Sequence, residues 1–378
     1  MKTYIFSIVF TVLFCFELQS RETYFGYYKS MQQAESSIEK MGYAKALSVY
    51  KNAFSQYPHA FYGDLHNACL CAIKTKDYET AYQYAKQLVS HGCELTYFND
   101  SVFAPLHASA YWKQFEEEYN SLKDKYLANM DYGLRKEYFD MLHLDQSDRR
   151  IKKPEQQADS IYYIHAIKTI DLIQKNGFPM WFINNDTINK ISILFGHSCI
   201  LYNKMNAPEN EQKYNTDFYN NIRKSKVLDT IRIYLKDALE DGYLTPNEYE
   251  GTISFSDFSN PYGKLSIVVD LKNEKVTPKT VFTQLQIEAI NTRRESICLP
   301  PISTKTAQNY INTSWYKEYP FKDVKKAMAA CQGCPRPVIV STITETEIPV
   351  MDKFRIPGNY GFRLKTLVNS SIAIFYNY

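Results

Sequence analysis

The sequence predicts a mainly α fold: N-terminal helical hairpins, then an α-helical domain, then a smaller strand-containing C-terminal region. Three observations predict it. A pattern of small and aromatic residues recurs at a fixed spacing before residue 90. Apolar stripes at helical spacing continue to about residue 240, as amphipathic helices require. After residue 250, runs rich in β-branched and aromatic side chains replace them, the composition strands favour.

The repeat is the most informative feature. Gly42-Tyr43-Ala44-Lys45-Ala46 leads to Tyr50, Ala53 and a closing Pro58. Asp77-Tyr78-Glu79-Thr80-Ala81 with Ala85 restates it, and Tyr43 to Tyr78, like Ala46 to Ala81, spans 35 positions. Ala46, Tyr50 and Ala53 fall on one helix face, where small residues admit a close neighbour and the ring fills the space between hairpins. Ala68, Cys69 and Ala72 give the preceding helix a matching small face. Pro58 lacks an amide hydrogen and disfavours helix at Tyr57, so it stops the chain there. This arrangement resembles the tetratricopeptide repeat, whose period is about 34 residues. An αα-hairpin bundle without a repeat relationship is the plainer alternative. Residues 94–128 read as a decayed terminal hairpin with Phe103, Leu106, Trp112 and Phe115 inside, as end units need a different outer face.

Helices are expected at Leu134–Arg149, Asp159–Asn176, Ile188–Met205 and Phe218–Leu239, with a stop, turn and restart at Asp241–Pro246. Farther on, Leu265–Val269, Val338–Ile343 and Phe362–Tyr378 read as strands, and Lys279–Arg293 as a helix. The predicted organisation is therefore 1–20, 21–128, 129–250 and 251–378.

Residues 1–20 read as a secretory signal peptide. Lys2 is followed by the uncharged run Tyr4–Phe16, and Ser20 offers a small residue before Arg21. The run is short for a bilayer span, which needs about 20 residues. An exported protein, periplasmic or extracellular, is expected, with membrane contact only through the signal. Lipidation at Cys15 is the lesser alternative, because Phe14 is bulky. Seven cysteines follow residue 20, an odd number that forbids complete internal pairing. Cys69 and Cys71 lie in an apolar helix pattern and read as small core residues. Cys331-Gln332-Gly333-Cys334 follows a helix-like segment and precedes Pro335, the reverse of a redox motif, and reads as a local disulfide or two structural thiols. A net charge of +3 without a Lys/Arg block gives no nucleic-acid footprint. No phosphate-binding loop, nucleophile elbow or metal-ligand spacing occurs, so neither cofactor nor metal is expected.

Asp145, Gln146 and Arg149 form the most distinctive polar cluster, with Asp145 and Arg149 one helical turn apart. The Leu144-Asp145-Gln146-x-x-Arg149 helix resembles the opening motif of an uncharacterised exported bacterial domain family often found behind tetratricopeptide-like repeats. Gly177-Phe178-Pro179, His197, Asp257, Tyr262-Gly263 and Arg293-Arg294 before Leu299-Pro300 extend the resemblance over about residues 132–302. Gly196 and Lys264-Leu265 depart from its pattern. The resemblance implies an architecture and candidate positions: Asp145, Arg149 and His197 as catalytic candidates, Gln146, Asp257, Tyr262 and Arg293 as ligand-binding ones. Asp145 could orient His197 as a base while Arg149 holds an anion, a layout compatible with hydrolysis. A hydrogen-bonded core histidine is the plainer reading. Two functions are therefore expected to compete. One is a cell-envelope binding or assembly protein whose repeats dock a protein or peptide partner. The other is a hydrolase-like enzyme.

Overall fold

The computed structural model describes residues 23–149, 154–179, 192–254, 261–263, 266–270, 275–278, 282–302, 362–369 and 372–377; for 146–149 and for the extended segments after 265 only the backbone is described. The expected signal peptide, Asp257, the Cys331–Cys334 pair and the Val338–Ile343 run lie outside these residues.

Two antiparallel hairpins open the described chain. Helices α1 (Phe25–Glu39) and α2 (Tyr43–Gln56) form the first; α3 (Tyr62–Lys74) and α4 (Tyr78–Ser90) form the second. Their turns are built alike. Met41 and Lys76 both take left-handed backbone, at φ 58 and 61. Gly42 N–H then donates back to Ser37 O at 2.8 Å, and Asp77 N–H to Ala72 O at 2.9 Å. These six-to-one bonds satisfy carbonyls that a helix end leaves bare. The same 35-position offset thus governs turns as well as side chains. Inside the hairpins Ala46, Tyr50 and Ala53 are buried, and so are Ala81, Ala85 and Leu88. The bulky member moves one turn along, from Tyr50 in α2 to Leu88 in α4, so volume is exchanged rather than lost.

The third unit is irregular. Short turns at Leu95–Asn99 and Ser101–Phe103 lead through α5 (Ala104–His107) to the long α6 (Ala110–Ala128), which packs on α4. Phe98 and Phe115 meet edge to face at 4.9 Å, and Phe103 joins them. The following body comprises α7 (Tyr132–Arg149), α8 (Glu155–Asn176), α9 (Ser192–Asn206), α10 (Asp217–Ser225), α11 (Val227–Glu240) and α12 (Pro246–Ile253). Helix α9 is its axis. Residues 194–201 are all buried, and α7, α8, α11 and α12 surround it. A helix apolar on every side must lie in the middle of a bundle.

The hairpins and this body share one hydrophobic core, which runs from Tyr24 to Leu299. Their seam is made by α1. Tyr24 N–H donates to Glu240 O at 2.8 Å. Tyr28 Oη donates to Leu239 O at 2.8 Å and Leu244 O at 2.7 Å. His59 Nε2 lies 2.6 Å from Gly242 O, and Gln32 Nε2 donates to Cys298 O. Tyr28, Met31 and Gln32 thus lie on the side of α1 that the chain's own residues 239–244 and 298 cover.

One expectation is corrected. Where side chains are described the molecule is helical throughout, and no strand contributes to its core. Antiparallel backbone ladders are limited to β1 (Ser266–Asp270), β2 (Lys275–Pro278), β3 (Phe362–Asn369) and β4 (Ile372–Asn377). The expected smaller strand-containing C-terminal region is therefore not supported. The reason is that β-branched runs give an extended local preference, while burial decides what joins a core. After residue 280 that burial goes to α13 (Gln284–Glu295) and its following turn. Ile287, Ile290 and Ile302 pack together, and Ile297, Cys298 and Leu299 enter the main core.

Gly242 shows how tight the seam is. Its φ is +79, and a Cβ there would lie 2.4 Å from the Tyr24 ring. Gly242→Ala should cost about 2 kcal/mol or more through backbone strain and the clash. Gly251→Ala, in α12 with nothing within 4 Å, should be neutral or stabilise by up to about 1 kcal/mol. Urea unfolding of the two variants checks this; equal stabilities would refute the packing described.

Candidate functional site

Two of the three catalytic candidates meet. Asp145 comes from α7 and His197 from α9, and Asp145 Oδ1 lies 2.7 Å from His197 Nδ1. With the carboxylate as acceptor, Nδ1 carries the proton, so Asp145 selects the tautomer as well as the ring orientation. Tyr162 of α8 stacks on the imidazole, with centroids 4.5 Å apart and planes at 24°. Three helices thus fix one ring. Local sequence explains the placement: Asp145 continues the Tyr138, Met141, Leu142 stripe of α7 inward, and His197 lies in the fully buried stretch of α9.

Exposure decides what the pair can do. His197 is 0% and Asp145 1% accessible. An orienting carboxylate and an imidazole are half of a general-base arrangement, but a base must also reach the proton it removes. This pair is enclosed by packed helices. Arg149 and Gln146 lie on the same helix, and only their backbone is described.

The other candidates belong to a different neighbourhood. Arg293 Nε donates to Pro261 O at 2.5 Å; Arg294 donates to Pro300 O at 2.5 Å and Tyr262 O at 2.9 Å. Both guanidinium groups therefore fasten the 261–263 turn and the chain after α13. Burial raises the Tyr262 phenol above its usual range, while the charges of Arg232 and Arg293 pull it back. Arg232 itself lies over the Tyr202 ring at 4.5 Å. The backbone-capping contacts of Arg293 and Arg294 are structural ones.

Two polar groupings escaped the sequence reading. Asp159, fully buried, accepts from Lys204 Nζ at 2.9 Å and Tyr219 Oη at 3.1 Å. Glu155 accepts from Lys213 at 2.6 Å and Tyr214 at 2.5 Å, contacts that hold its carboxyl down at about 2. Together they pin the start of α8 to the end of α9 and to α10. The second grouping lies on the seam. Tyr27 Oη donates to Asp64 Oδ2 at 2.8 Å. Glu248 closes a capping box, accepting from Thr245 N–H at 2.8 Å and Thr245 Oγ1 at 2.9 Å. Burial pushes each carboxyl up to about 7, and for Asp64 the Glu248 charge adds to the effect. The Thr245-Pro246-Asn247-Glu248 box is legible in sequence; its proximity to Asp64 is not, because 184 positions separate them.

Cys69, Cys71, Cys199 and Cys298 are buried thiols. Burial raises the Cys71 thiol to about 12, so it is inert at neutral pH. Among the described residues no group of three His, Cys, Asp or Glu side chains could hold a metal. Comparison with protein families, curated proteins and solved structures returns no match.

Removing one partner of a buried pair strands the other. Asp145→Ala should destabilise by about 1–3 kcal/mol or more, whereas Asp145→Asn, which keeps an acceptor, should cost less. Denaturant unfolding reads both; identical losses would mean that the hydrogen bond contributes nothing beyond volume.

Proposed function

We propose that the chain is an exported cell-envelope binding or assembly protein, built on tetratricopeptide-like hairpins, that docks a protein partner. The repeat identity is supported by the shared 35-position register of the small-residue faces and of the two left-handed turns. Export is supported by the Lys2, Tyr4–Phe16, Ser20 pattern. No helix among the described residues is long and apolar enough to cross a membrane.

The Tyr28–Gln32 side of α1 is excluded from this proposal as a docking site, because residues 239–244 and 298 cover it. The observation that carries the reading lies on α7 and α8. Leu144 and Ile164 are each 57% exposed and Ile167 37%. Glu137 and Lys168, 3.9 Å apart, join the same two helices. Leu144 is two turns from Glu137 and Ile164 one turn from Lys168, so both fall on the bridged side of the helix pair. Apolar side chains gathered on adjoining helices, where most other large apolar residues among the described ones are buried, are the usual mark of a contact surface.

A photo-crosslinking residue at position 164 should give a discrete adduct with one envelope protein, and Leu144→Asp should abolish it. An adduct pattern identical to that from exposed Lys113 would remove the basis of the proposal.

A second reading, a hydrolase-like enzyme using Asp145, Arg149 and His197, is favoured by the Asp145–His197 hydrogen bond alone. Enclosure of both side chains opposes it. Under the binding proposal His197→Gln lowers stability and changes no hydrolysis of ester or peptide substrates; selective loss of turnover in a stably folded variant would establish the enzyme instead.

A further inference from the structure

We propose that Arg232 of α11 anchors a small ligand site that takes a carboxylate carried on an apolar or aromatic body. The site is separate from the α7–α8 face and rests on observations of its own.

Packing sets its position. Helices α9, α11 and α12 are mutual neighbours. Arg232 lies half-buried on α11, and its guanidinium sits over the Tyr202 ring of α9, 4.5 Å from the centroid. Tyr202 is one turn beyond the buried Cys199. Asn203, next to it, donates to Ile253 O at 3.1 Å and so fastens α9 to the end of α12. Tyr249 of α12 is buried. Tyr262 belongs to the turn whose carbonyl Arg294 holds at 2.9 Å. The Arg232 charge acts on Cys199, Tyr249 and Tyr262 alike, opposing the upward effect of burial on each. One cation thus faces α9, α12 and the 261–263 turn together.

This cation has no oxygen to meet. A guanidinium offers five N–H donors and no acceptor. Among the described residues no carboxylate or carbonyl pairs with Arg232. Its contact with Tyr202 is to a ring face, which supplies no acceptor oxygen. The neighbouring cations are engaged: Arg293 donates to Pro261 O at 2.5 Å, and Lys236 pairs with Glu240 at 3.7 Å. A planar fork of donors, held against an aromatic ring and left open, matches a carboxylate through two parallel hydrogen bonds.

Charge and surroundings narrow the ligand class. One open guanidinium balances one negative charge. The Glu250 carboxylate acts on Tyr262 from the same side of the molecule, so a phosphate dianion would carry an excess charge into half-buried surroundings. The rings of Tyr202, Tyr249 and Tyr262 present apolar and aromatic surface next to the cation. An aromatic or aliphatic monocarboxylate satisfies both features.

Fluorine NMR of para-fluorophenylacetate with the full chain at neutral pH tests this, with para-fluorophenylacetamide as the uncharged control. The carboxylate should bind saturably and at least about tenfold more tightly than the amide, because its hydrogen bonds to the guanidinium are charge-assisted. Arg232→Met keeps an apolar chain over Tyr202 and should abolish that preference. Arg232→Lys keeps the charge without the fork and should weaken binding by about tenfold, while Lys113→Met on α6 should change nothing. No saturable binding, equal binding of the amide, wild-type binding by Arg232→Met, or displacement by inorganic phosphate more readily than by unlabelled phenylacetate would each overturn the proposal.

Discussion

A turn that points its carbonyls into a protein interior must find donors there, because water no longer supplies them. The turn between α11 and α12 is such a case. The Tyr28 hydroxyl reaches across more than 200 positions of sequence and shares its one hydrogen between Leu244 O and Leu239 O, the latter also accepting from Gly242 N–H. An unsatisfied buried carbonyl costs about 1–3 kcal/mol, so this contact adds direction to the apolar surface that the helical body and the hairpins share. Gly242 lets the backbone turn within van der Waals reach of Tyr24, and His59 covers its carbonyl. The rest of the seam follows from these contacts.

This constraint changes what the hairpins are for. In an open array the first helix of each pair lines a groove for a ligand. Here helix α3 is buried along nearly its whole length, including His66, Asn67, Leu70 and Ile73. Helix α1 packs its Tyr28–Gln32 side on the following body. A short stack with so few units has little core of its own, and using its concave side internally supplies the burial that further repeats would otherwise provide. Under the proposed binding function, the surface that would meet a partner is the outside of the second body, where α7 and α8 carry exposed apolar residues.

Much of this was legible in the sequence, and the limits have physical causes. Residues at helical spacing report local structure, so Ala46, Tyr50 and Ala53 announced a buried face, and Gly42 and Asp77 marked the turns. Asp145 stood out within a polar cluster and His197 within an apolar helix, but their contact depends on how α7 and α9 pack, which no local pattern encodes. The same holds for Tyr27 with Asp64 and for Tyr28 with Leu244. Beyond residue 250 the pattern misled. Extended propensity at Leu265–Val269 was read as a region of the fold, whereas Ile287, Ile290 and the 297–299 turn are what pack. The repeat signature likewise records neighbours within the stack and says nothing of a later segment folding back.

The central claim is that hairpins and helical body form one cooperative unit joined at α1. Native-state hydrogen exchange over a urea series measures this most directly. If the claim holds, the slowest amides of α2 to α4 and of α9 converge on a single unfolding free energy and a common denaturant slope. Two separate isotherms, with the hairpins opening while α9 stays protected, would contradict it.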